Sequence, residues 1–368
     1  MTPANRHLSL LVPALFTCPL DTGTEHSLKV TDLEKLLARS RRGSCAVNRE
    51  ALLFDLFGFE FTADHNLPIA PVTHALDTGE NSDAWWLRAD PVYMRADSDR
   101  VIMMGNDFLD ITSQEAVALG KELDPLFQSQ GLQLSVPDPR RWYLRLTDDP
   151  NIFWPALSDV RGHDIHQYLP LDMNSGKNAK LWRRILNESQ MILHDSPVNH
   201  AREARGELPV NSLWFWGGGT LPQIPLNQFV QVCSNDALVL GLAKLADTAR
   251  TAIPVNGTAW LAQSIPMGKH LVVVEAVSDG VSISSNSSAQ KAKLEALNRD
   301  WFLPLLAALK SHQLASLHLY TGNGAVFHAT AASITRWWKR TRSLAFYQAQ
   351  SENPGIASSA QAPGGVGG

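Results

Sequence analysis

The chain has 368 residues, of which 44% are hydrophobic and 18% are charged, and its formal net charge is −4. This length is sufficient for one large hydrophobic core or two smaller ones. The near-neutral charge excludes the strongly basic surface of a dedicated nucleic-acid-binding protein. Cys18, Cys45 and Cys233 lie far apart in the sequence, which excludes a CxxC metal site and a disulfide framework and favours a reducing compartment.

The first apolar segment, residues 8–20, is too short to be a transmembrane helix. It imitates a secretory signal, but Pro13 interrupts it and no small-residue cleavage site follows. We therefore predict a buried first strand over residues 8–12 and a cytoplasmic protein.

Two capping boxes, each a Thr followed three residues later by Glu, predict helices that begin at Thr31 and near Thr112. Periodicity and turn residues divide the rest of the N-terminal half into predicted elements: an apolar segment over 51–61, a loop over 62–84, an antiparallel pair over 85–104, a strand over 142–146 and an amphipathic helix over 178–194.

The C-terminal part alternates between strand and helix. The predicted strands are 213–216, 271–275, 317–320 and 325–329, and the predicted helices are 236–249 (capped by Ser234 or Asn235), 289–311 and 334–348. Apolar strands that alternate with helices favour a mainly parallel sheet covered by helices. Residues 351–368, rich in Ser, Ala, Pro and Gly, predict a disordered tail.

Three short motifs each permit two interpretations. The glycines at 217–219 could bind a phosphate through bare backbone amides, or could allow close backbone packing. His163 and His166 could be two zinc ligands, but no third ligand is placed beside them. Residues 336–342 could hold a phosphate chain by charge and stacking, or Trp337 and Trp338 could cover the sheet while the basic residues stay in solvent.

The densest polar segment is residues 193–211, where a predicted helix ends and an apolar strand begins. Polar residues at the margin of a sheet often line a cleft. The alternative is a network of internal hydrogen bonds at a domain hinge. The sequence leaves both interpretations open.

Residues 194–219 resemble the stretch HPvNreRxxkGxppANxxLxxGxG of the archaeal-type, cofactor-independent phosphoglycerate mutases of the alkaline-phosphatase superfamily. The matching positions are Asn199, Arg202, Gly206, Pro209, Asn211, Gly217 and Gly219. Looser similarity extends over about residues 8–345 and includes residues 83–90, which resemble DvAfRcNl with Asp90 in place of the usual Asn. The form NSLWFWGGG is also similar to a proteobacterial branch of RpfE-type regulatory proteins, which implies a bacterial source.

The resemblance implies an α/β fold with an alkaline-phosphatase-like, mainly parallel sheet core flanked by helices and a smaller α+β insertion domain. The implied division is 1–80 and 208–350 for the core, 81–207 for the insertion and 351–368 for the tail. It also implies a substrate-binding cleft, whose expected residues are Arg88, Asn199, Arg202, Asn211, Gly217 and Gly219.

The family's chemistry uses a phosphorylated serine and two divalent metals held by Asp and His at the ends of core strands. Here the first expected Asp-Gly is replaced by Pro13-Ala14, and the nucleophile position falls at Asn48 or Arg49, with Ser44 as a nearby candidate. Asp279 survives near one expected ligand position, and Gly322-Asn323 stands where Asp-His is expected. We therefore assign no catalytic residue and no metal ligand, and expect no cofactor.

These departures predict a divergent homologue that lacks metal-dependent phosphoryl transfer. It would act as a regulatory protein or bind an anionic metabolite, with a phosphorylated or carboxylated small molecule or a protein as partner, and with neither membrane nor nucleic acid.

Two alternatives keep an enzymatic activity. The first is an active, mutase-like isomerase or phosphotransferase with a Mn²⁺, Mg²⁺ or Zn²⁺ pair on relocated ligands, drawn from Asp21, Asp55, Asp64, His65, His74, Asp279 and His328. The second is metal-free chemistry in the same cleft, with Arg88 and Arg202 clamping a carboxylate or phosphate.

Overall fold

A computed structural model describes residues 5–13, 15–16, 28–60, 66–169, 177–226, 228–263, 266–274 and 287–352. The chain divides into two compact units: the first contains the described residues up to Gly58 and from Pro225 onward, and the second spans Phe59–Ile224. The second unit is thus longer at both ends than the expected insertion at 81–207. Most of the expected tail, from residue 353, lies outside the described residues.

The strands of the described chain are β1 (Arg6–Leu11), β2 (Arg41–Ser44), β3 (Trp85–Asp97), β4 (Arg100–Gly105), β5 (Gln133–Asp138), β6 (Arg141–Leu146), β7 (Ser212–Gly219), β8 (Gln231–Cys233), β9 (Ala249–Thr251), β10 (Gly268–Val273), β11 (Ser316–Tyr320) and β12 (Ala325–Thr330).

The helices are α1 (Thr31–Arg39), α2 (Arg49–Leu56), α3 (Ile69–Thr78), α4 (Ser113–Ser129), α5 (Leu157–Val160), α6 (Lys177–His194), α7 (Pro197–Ala204), α8 (Ala237–Leu245), α9 (Gly257–Ala262), α10 (Ser287–Leu297), α11 (Leu303–Lys310), α12 (Ala331–Ile334) and α13 (Leu344–Glu352). A π turn, Asn298–Phe302, joins α10 to α11, and a 3₁₀ turn covers Ile165–Gln167.

The first unit is built on a sheet in the order β2-β12-β11-β1-β10-β8-β9. The run from β11 to β9 is parallel, and β12 and β2 are antiparallel additions at one edge. On one face of this sheet, Leu8 and Leu10 of β1 pack with apolar residues of α1, α10 and α11. Side chains along β1 alternate between the two faces with a two-residue period, and Leu11, on the other face, is fully buried as well. The predicted mainly parallel, helix-covered sheet is confirmed.

The second unit contains an antiparallel sheet in the order β4-β3-β6-β5, with β7 also paired to β3. Because β7 pairs with β3, the glycine-containing strand belongs to this unit and not to the parallel sheet. Aromatic rings fill its interior: Trp154 lies 5.1 Å from Trp182 and 5.6 Å from Phe215, measured between ring centroids.

The expected loop over 62–84 is wrong for residues 69–78, which form α3. Pro68 and Pro71 stand at the helix N-terminus, where the missing proline N–H groups cost no hydrogen bond. Ile69, Ala70 and Val72 are buried, so tertiary packing stabilises a segment whose composition suggests a loop.

The expected continuous helix over 334–348 is also wrong. α12 ends at Ile334, residues 335–343 are not helical, and α13 begins at Leu344. Leu344 and Tyr347 are buried, whereas Trp337 and Trp338 are exposed. The two tryptophans therefore do not cover the sheet as one interpretation expected.

Candidate functional site

Arg88, expected to bind substrate, is buried on β3 and paired with Asp90. Its Nε and Nη2 atoms donate to the two carboxylate oxygens at 2.8 and 2.9 Å. The two residues share a face of the strand because side chains alternate with a period of two. Trp216 Nε1 also donates to Asp90, at 2.8 Å, and the Arg88 guanidinium lies 5.2 Å from the Trp216 ring centroid. The carboxylate thus neutralises the charge that an anionic ligand would otherwise meet.

A second buried carboxylate, Asp77 on α3, completes this polar network. Arg141 donates to both Asp77 oxygens at 2.8 Å, and the Tyr143 hydroxyl donates to one of them. Burial raises the pKa of Tyr143 and lowers that of His74, whose ring stacks on Trp86 at 3.7 Å between centroids. Sequence reasoning missed Asp77 because residues 62–84 were expected to be loop.

Asn199, on α7, is the centre of the hydrogen-bonded segment between α6 and β7. Its amide nitrogen donates to Leu193 O at 2.7 Å and Val210 O at 2.8 Å, and its oxygen accepts from Val210 N at 2.9 Å. Ser196 caps the helix by accepting from Val198 N. These bonds tie the end of one helix to the approach of β7.

Arg202, one turn later on α7, is 1% exposed. Its Nε donates to Leu208 O at 2.9 Å, and Nη1 donates to Glu115 at 3.0 Å. Burial alone would raise the pKa of Glu115, but hydrogen bonds from Thr112 and Arg205 and the charge of Arg202 lower it. Arg202 is thus held by a carboxylate within its own unit.

The side-chain amide of Asn211 forms hydrogen bonds with the backbone of β3, as a neighbouring strand would. Its Oδ1 accepts from Met94 N at 2.8 Å, and its Nδ2 donates to Met94 O at 2.7 Å. Together with Asn199 and Arg202, it supports the internal-network interpretation of residues 193–211. The role of these residues in substrate binding stays a prediction.

The glycines of β7 pack tightly against α3 and β3. Gly217 has φ +65°, and a Cβ there would lie 2.9 Å from Ile69 Cβ; at Gly219 a Cβ would lie 2.8 Å from Pro68 Cβ. A Cβ at Gly218 would overlap the Trp85 indole. This geometry supports close backbone packing, the second interpretation of the glycine run.

At the strand ends of the parallel sheet, Asp236 is the acidic residue that follows β8. It caps α8 by accepting from Val239 N at 2.9 Å, so the cap is Asp236 and not Ser234 or Asn235. Arg49 Nη2 donates to it at 2.7 Å. Burial alone would raise the pKa of Asp236, but Arg49 and the Val239 amide lower it.

Arg49 also lies 3.7 Å from the buried carboxylate of Glu50, the second residue of α2. The described residues directly after β1 and β11 are not acidic. Val12 follows β1, and Thr321 follows β11 with its hydroxyl 2.6 Å from Asn323 Oδ1. Asn48 caps α2 by accepting from Ala51 N at 2.9 Å. Ser44 is exposed on β2. The described residues at this edge therefore do not fit a pair of divalent metals, which needs several converging carboxylates and imidazoles.

The proposed relocated ligands are not brought together where they are described. Asp55 is exposed on α2, His74 stacks on Trp86, and His328 stacks on His318 at 4.2 Å between centroids. Those outside the described residues are Asp21, Asp64, His65 and Asp279. Within the described ranges no three His, Cys, Asp or Glu side chains are grouped to hold a metal ion.

His163 and His166 likewise make separate local contacts. His166 Nδ1 lies 2.7 Å from Asp164 Oδ1, and His163 Nδ1 lies 3.0 Å from Arg161 O. Nearby, a groove of about 680 Å³ runs between β3, β4 and α6, lined by Met94, His166, Gln190, Met191, His194 and Asn211 among others. No Lys or Arg is among the described residues that line it. His194, Asp195 and Asn211 of the polar segment 193–211 are among its lining residues, so the sequence indicated part of this groove.

No protein-family model matches the chain. A 65-residue segment is 35% identical to the 2,3-bisphosphoglycerate-independent phosphoglycerate mutase of Methanosarcina mazei. This segment covers 18% of this chain and 15% of that protein. Over 112 residues the chain is 32% identical to the Thermoplasma volcanium protein of the same name, covering 29% and 27% of the two chains. The matches thus span less than a third of either relative.

Among solved structures, the PH0037 protein from Pyrococcus horikoshii is 14% identical, with a TM-score of 0.52, over 95% of this chain and 93% of that chain. At this identity the likeness concerns the fold alone. The expected alkaline-phosphatase-like α/β fold is confirmed, and the sequence matches relate segments of this chain to 2,3-bisphosphoglycerate-independent phosphoglycerate mutases.

Proposed function

We propose that this chain is a divergent homologue of cofactor-independent phosphoglycerate mutase that lacks metal-dependent phosphoryl transfer and acts as a regulatory or anionic-metabolite-binding protein. The observation that carries the proposal is the buried pair of Arg88 and Asp90. A mutase must hold a phosphorylated substrate, and a guanidinium is well suited to that task. Here a carboxylate of the chain itself already occupies Arg88.

An anionic ligand at Arg88 would have to displace Asp90 and leave that carboxylate buried without its partner, which is costly. In the mutase motif that this segment resembles, an uncharged Asn stands at the position of Asp90. The presence of Asp90 in place of Asn therefore supports a loss of anion binding at Arg88.

The parallel sheet edge supports the loss of metal chemistry. The positive charge of Arg49, 2.7 Å from Asp236, disfavours a divalent cation at that carboxylate.

Arg202, the second arginine expected to bind an anion, is paired with Glu115 at 3.0 Å. Both expected anion-binding arginines already have carboxylate partners, which weakens the metabolite-binding half of the proposal.

The test is turnover of 3-phosphoglycerate, and of a general phosphatase substrate, by the full chain with Mn²⁺, Mg²⁺ or Zn²⁺ added. We expect no turnover above the uncatalysed rate with any of these metals. Metal-dependent turnover would overturn the proposal in favour of the relocated-ligand alternative.

A thermal-shift series with 3-phosphoglycerate distinguishes the two halves of the proposal. A ligand that binds only the folded state raises the melting temperature. We expect no rise for the wild type. A rise that is lost in Arg202→Ala, but kept in a variant of the exposed Arg145, would show that the metabolite-binding half holds instead.

A further inference from the structure

The segment between α12 and α13, residues 335–343, is exposed along its length and carries two large aromatic side chains. Trp337 is 80% exposed and Trp338 67% exposed, and Phe346 on α13 is 39% exposed. Tryptophan is normally among the more buried residues on average, so a neighbouring pair in solvent indicates an interaction surface. We call residues 336–342 together with Phe346 the aromatic–basic loop.

The loop is strongly cationic. Its basic residues are Arg336, Lys339, Arg340 and Arg342, all of them exposed, and none forms an ion pair with a described residue. The sequence contains no Asp or Glu between Asp300 and Glu352, although the whole chain has a net charge of −4. Such a local positive surface is complementary to an anionic partner.

The loop is fixed at both ends. Arg39 Nη1 donates to Ile334 O at 2.9 Å, and Leu344 N donates to Glu34 Oε1 at 3.0 Å. Ile334 and Leu344 are each 1% exposed in the core of the first unit. The exposed aromatic side chains are therefore presented by a segment anchored to the fold and not by a free end.

The ring geometry favours a surface over a strand as the partner. The Trp337 and Trp338 rings meet edge to face, with centroids 6.2 Å apart and planes at 84°. Rings at right angles to each other cannot both stack on successive bases of one nucleic-acid strand. A bilayer needs no such stacking, because indole rings lie at the headgroup level while basic side chains meet anionic lipids.

We propose that the aromatic–basic loop docks on the surface of a membrane that contains anionic lipids. None of the helices in the described ranges is long and apolar enough to span a bilayer. That criterion concerns spanning, and a protein can lie on a membrane without a spanning helix. The expectation that no membrane is a partner rested on the spanning criterion alone.

The test is co-sedimentation of the full chain with vesicles made of equal parts of phosphatidylcholine and phosphatidylglycerol. We expect binding in about 0.1 M salt, where charges act over about 10 Å, and release in about 1 M salt. We expect the double variant Trp337→Ala/Trp338→Ala to bind about tenfold more weakly, since it removes the apolar part of the contact. Arg336→Ala/Arg340→Ala should also bind more weakly.

Matched controls alter exposed residues elsewhere: Phe153→Ala for the aromatic change and Arg100→Ala/Arg145→Ala for the charge change. Both should bind like the wild type, and all variants should melt at the wild-type temperature because the altered side chains are exposed. Wild type that stays in the supernatant, or loop variants that bind as tightly as the controls, would overturn the proposal. So would an oligo(dT) strand that binds the loop and displaces the vesicles, which would make nucleic acid the partner.

Discussion

At the scale of single residues, the pair Arg88–Asp90 predicts an unusually large effect of a small substitution. Asp90→Asn keeps the shape and leaves Arg88 buried without its counter-charge. Breaking one partner of a buried ion pair costs about 3–5 kcal/mol. We expect a loss of that size in the free energy of unfolding, measured in urea.

Two comparisons isolate the charge. Arg88→Met/Asp90→Asn removes both charges, and it should lose less stability than Asp90→Asn alone. Asp99→Asn removes an exposed carboxylate 3.8 Å from the exposed Arg100 in the same unit, and its cost should be about 0–1 kcal/mol. Equal losses for Asp90→Asn and Asp99→Asn would show that burial of the pair is not what makes it important.

The identity of such residues could be predicted from the sequence, but their partners could not. Arg88, Asn199, Arg202 and Asn211 stand out as polar residues beside apolar strands. Whether they line a cleft or bond internally depends on which backbone and carboxylate atoms lie within 3 Å. For Arg202 that partner is Glu115, which lies 87 positions away in the chain.

At the scale of elements, the glycine run of β7 predicts a packing defect when it is altered. A methyl group at Gly218 would overlap the Trp85 indole, so Gly218→Ala should cost about 3 kcal/mol of unfolding free energy. Gly79→Ala is the matched control: it has φ +81° but open space around its Cβ position, so about 1 kcal/mol of backbone strain is expected. Similar urea midpoints for the two variants would contradict this account of the glycine run.

The two predicted capping boxes show why a local motif predicts the start of one helix correctly and the cap of another wrongly. Thr112 and Glu115 form the predicted box, because both side chains face the first turn of α4. The box at Thr31 does not form: Val30 is the cap residue, and the Glu34 carboxylate accepts from the Leu344 amide instead. A local motif is therefore kept only where no partner from a distant part of the chain competes for the same oxygen atoms.

At the scale of the whole molecule, the parallel sheet could be predicted because its strands are apolar runs separated by helical patterns. The unit boundary could not, since β7 resembles a core strand in sequence but pairs with β3. The composition of two strand ends follows directly from the sequence: Val12 and residues 321–323 bring no carboxylate or imidazole to them in any fold.

The histidines predict how the stability of the whole molecule depends on pH. Burial lowers the pKa of His74, His270 and His328, and burial with the charge of His328 lowers that of His318 to about 4. Unfolding returns each ring to a pKa near 6.5. Between about pH 6.5 and 4 the unfolded chain thus binds more protons than the folded one, so stability falls as the pH is lowered through this window.

Urea unfolding at pH 7 and pH 5 measures this loss. His318→Gln should reduce the difference in unfolding free energy between the two pH values, because it removes a ring whose pKa is lowered to about 4. Stability that is equal at both pH values in the wild type would mean that these rings are hydrated in solution. In that case the partial burial of the stacked pair His318–His328, on the face of the sheet opposite Leu317 and Leu319, would not hold in solution.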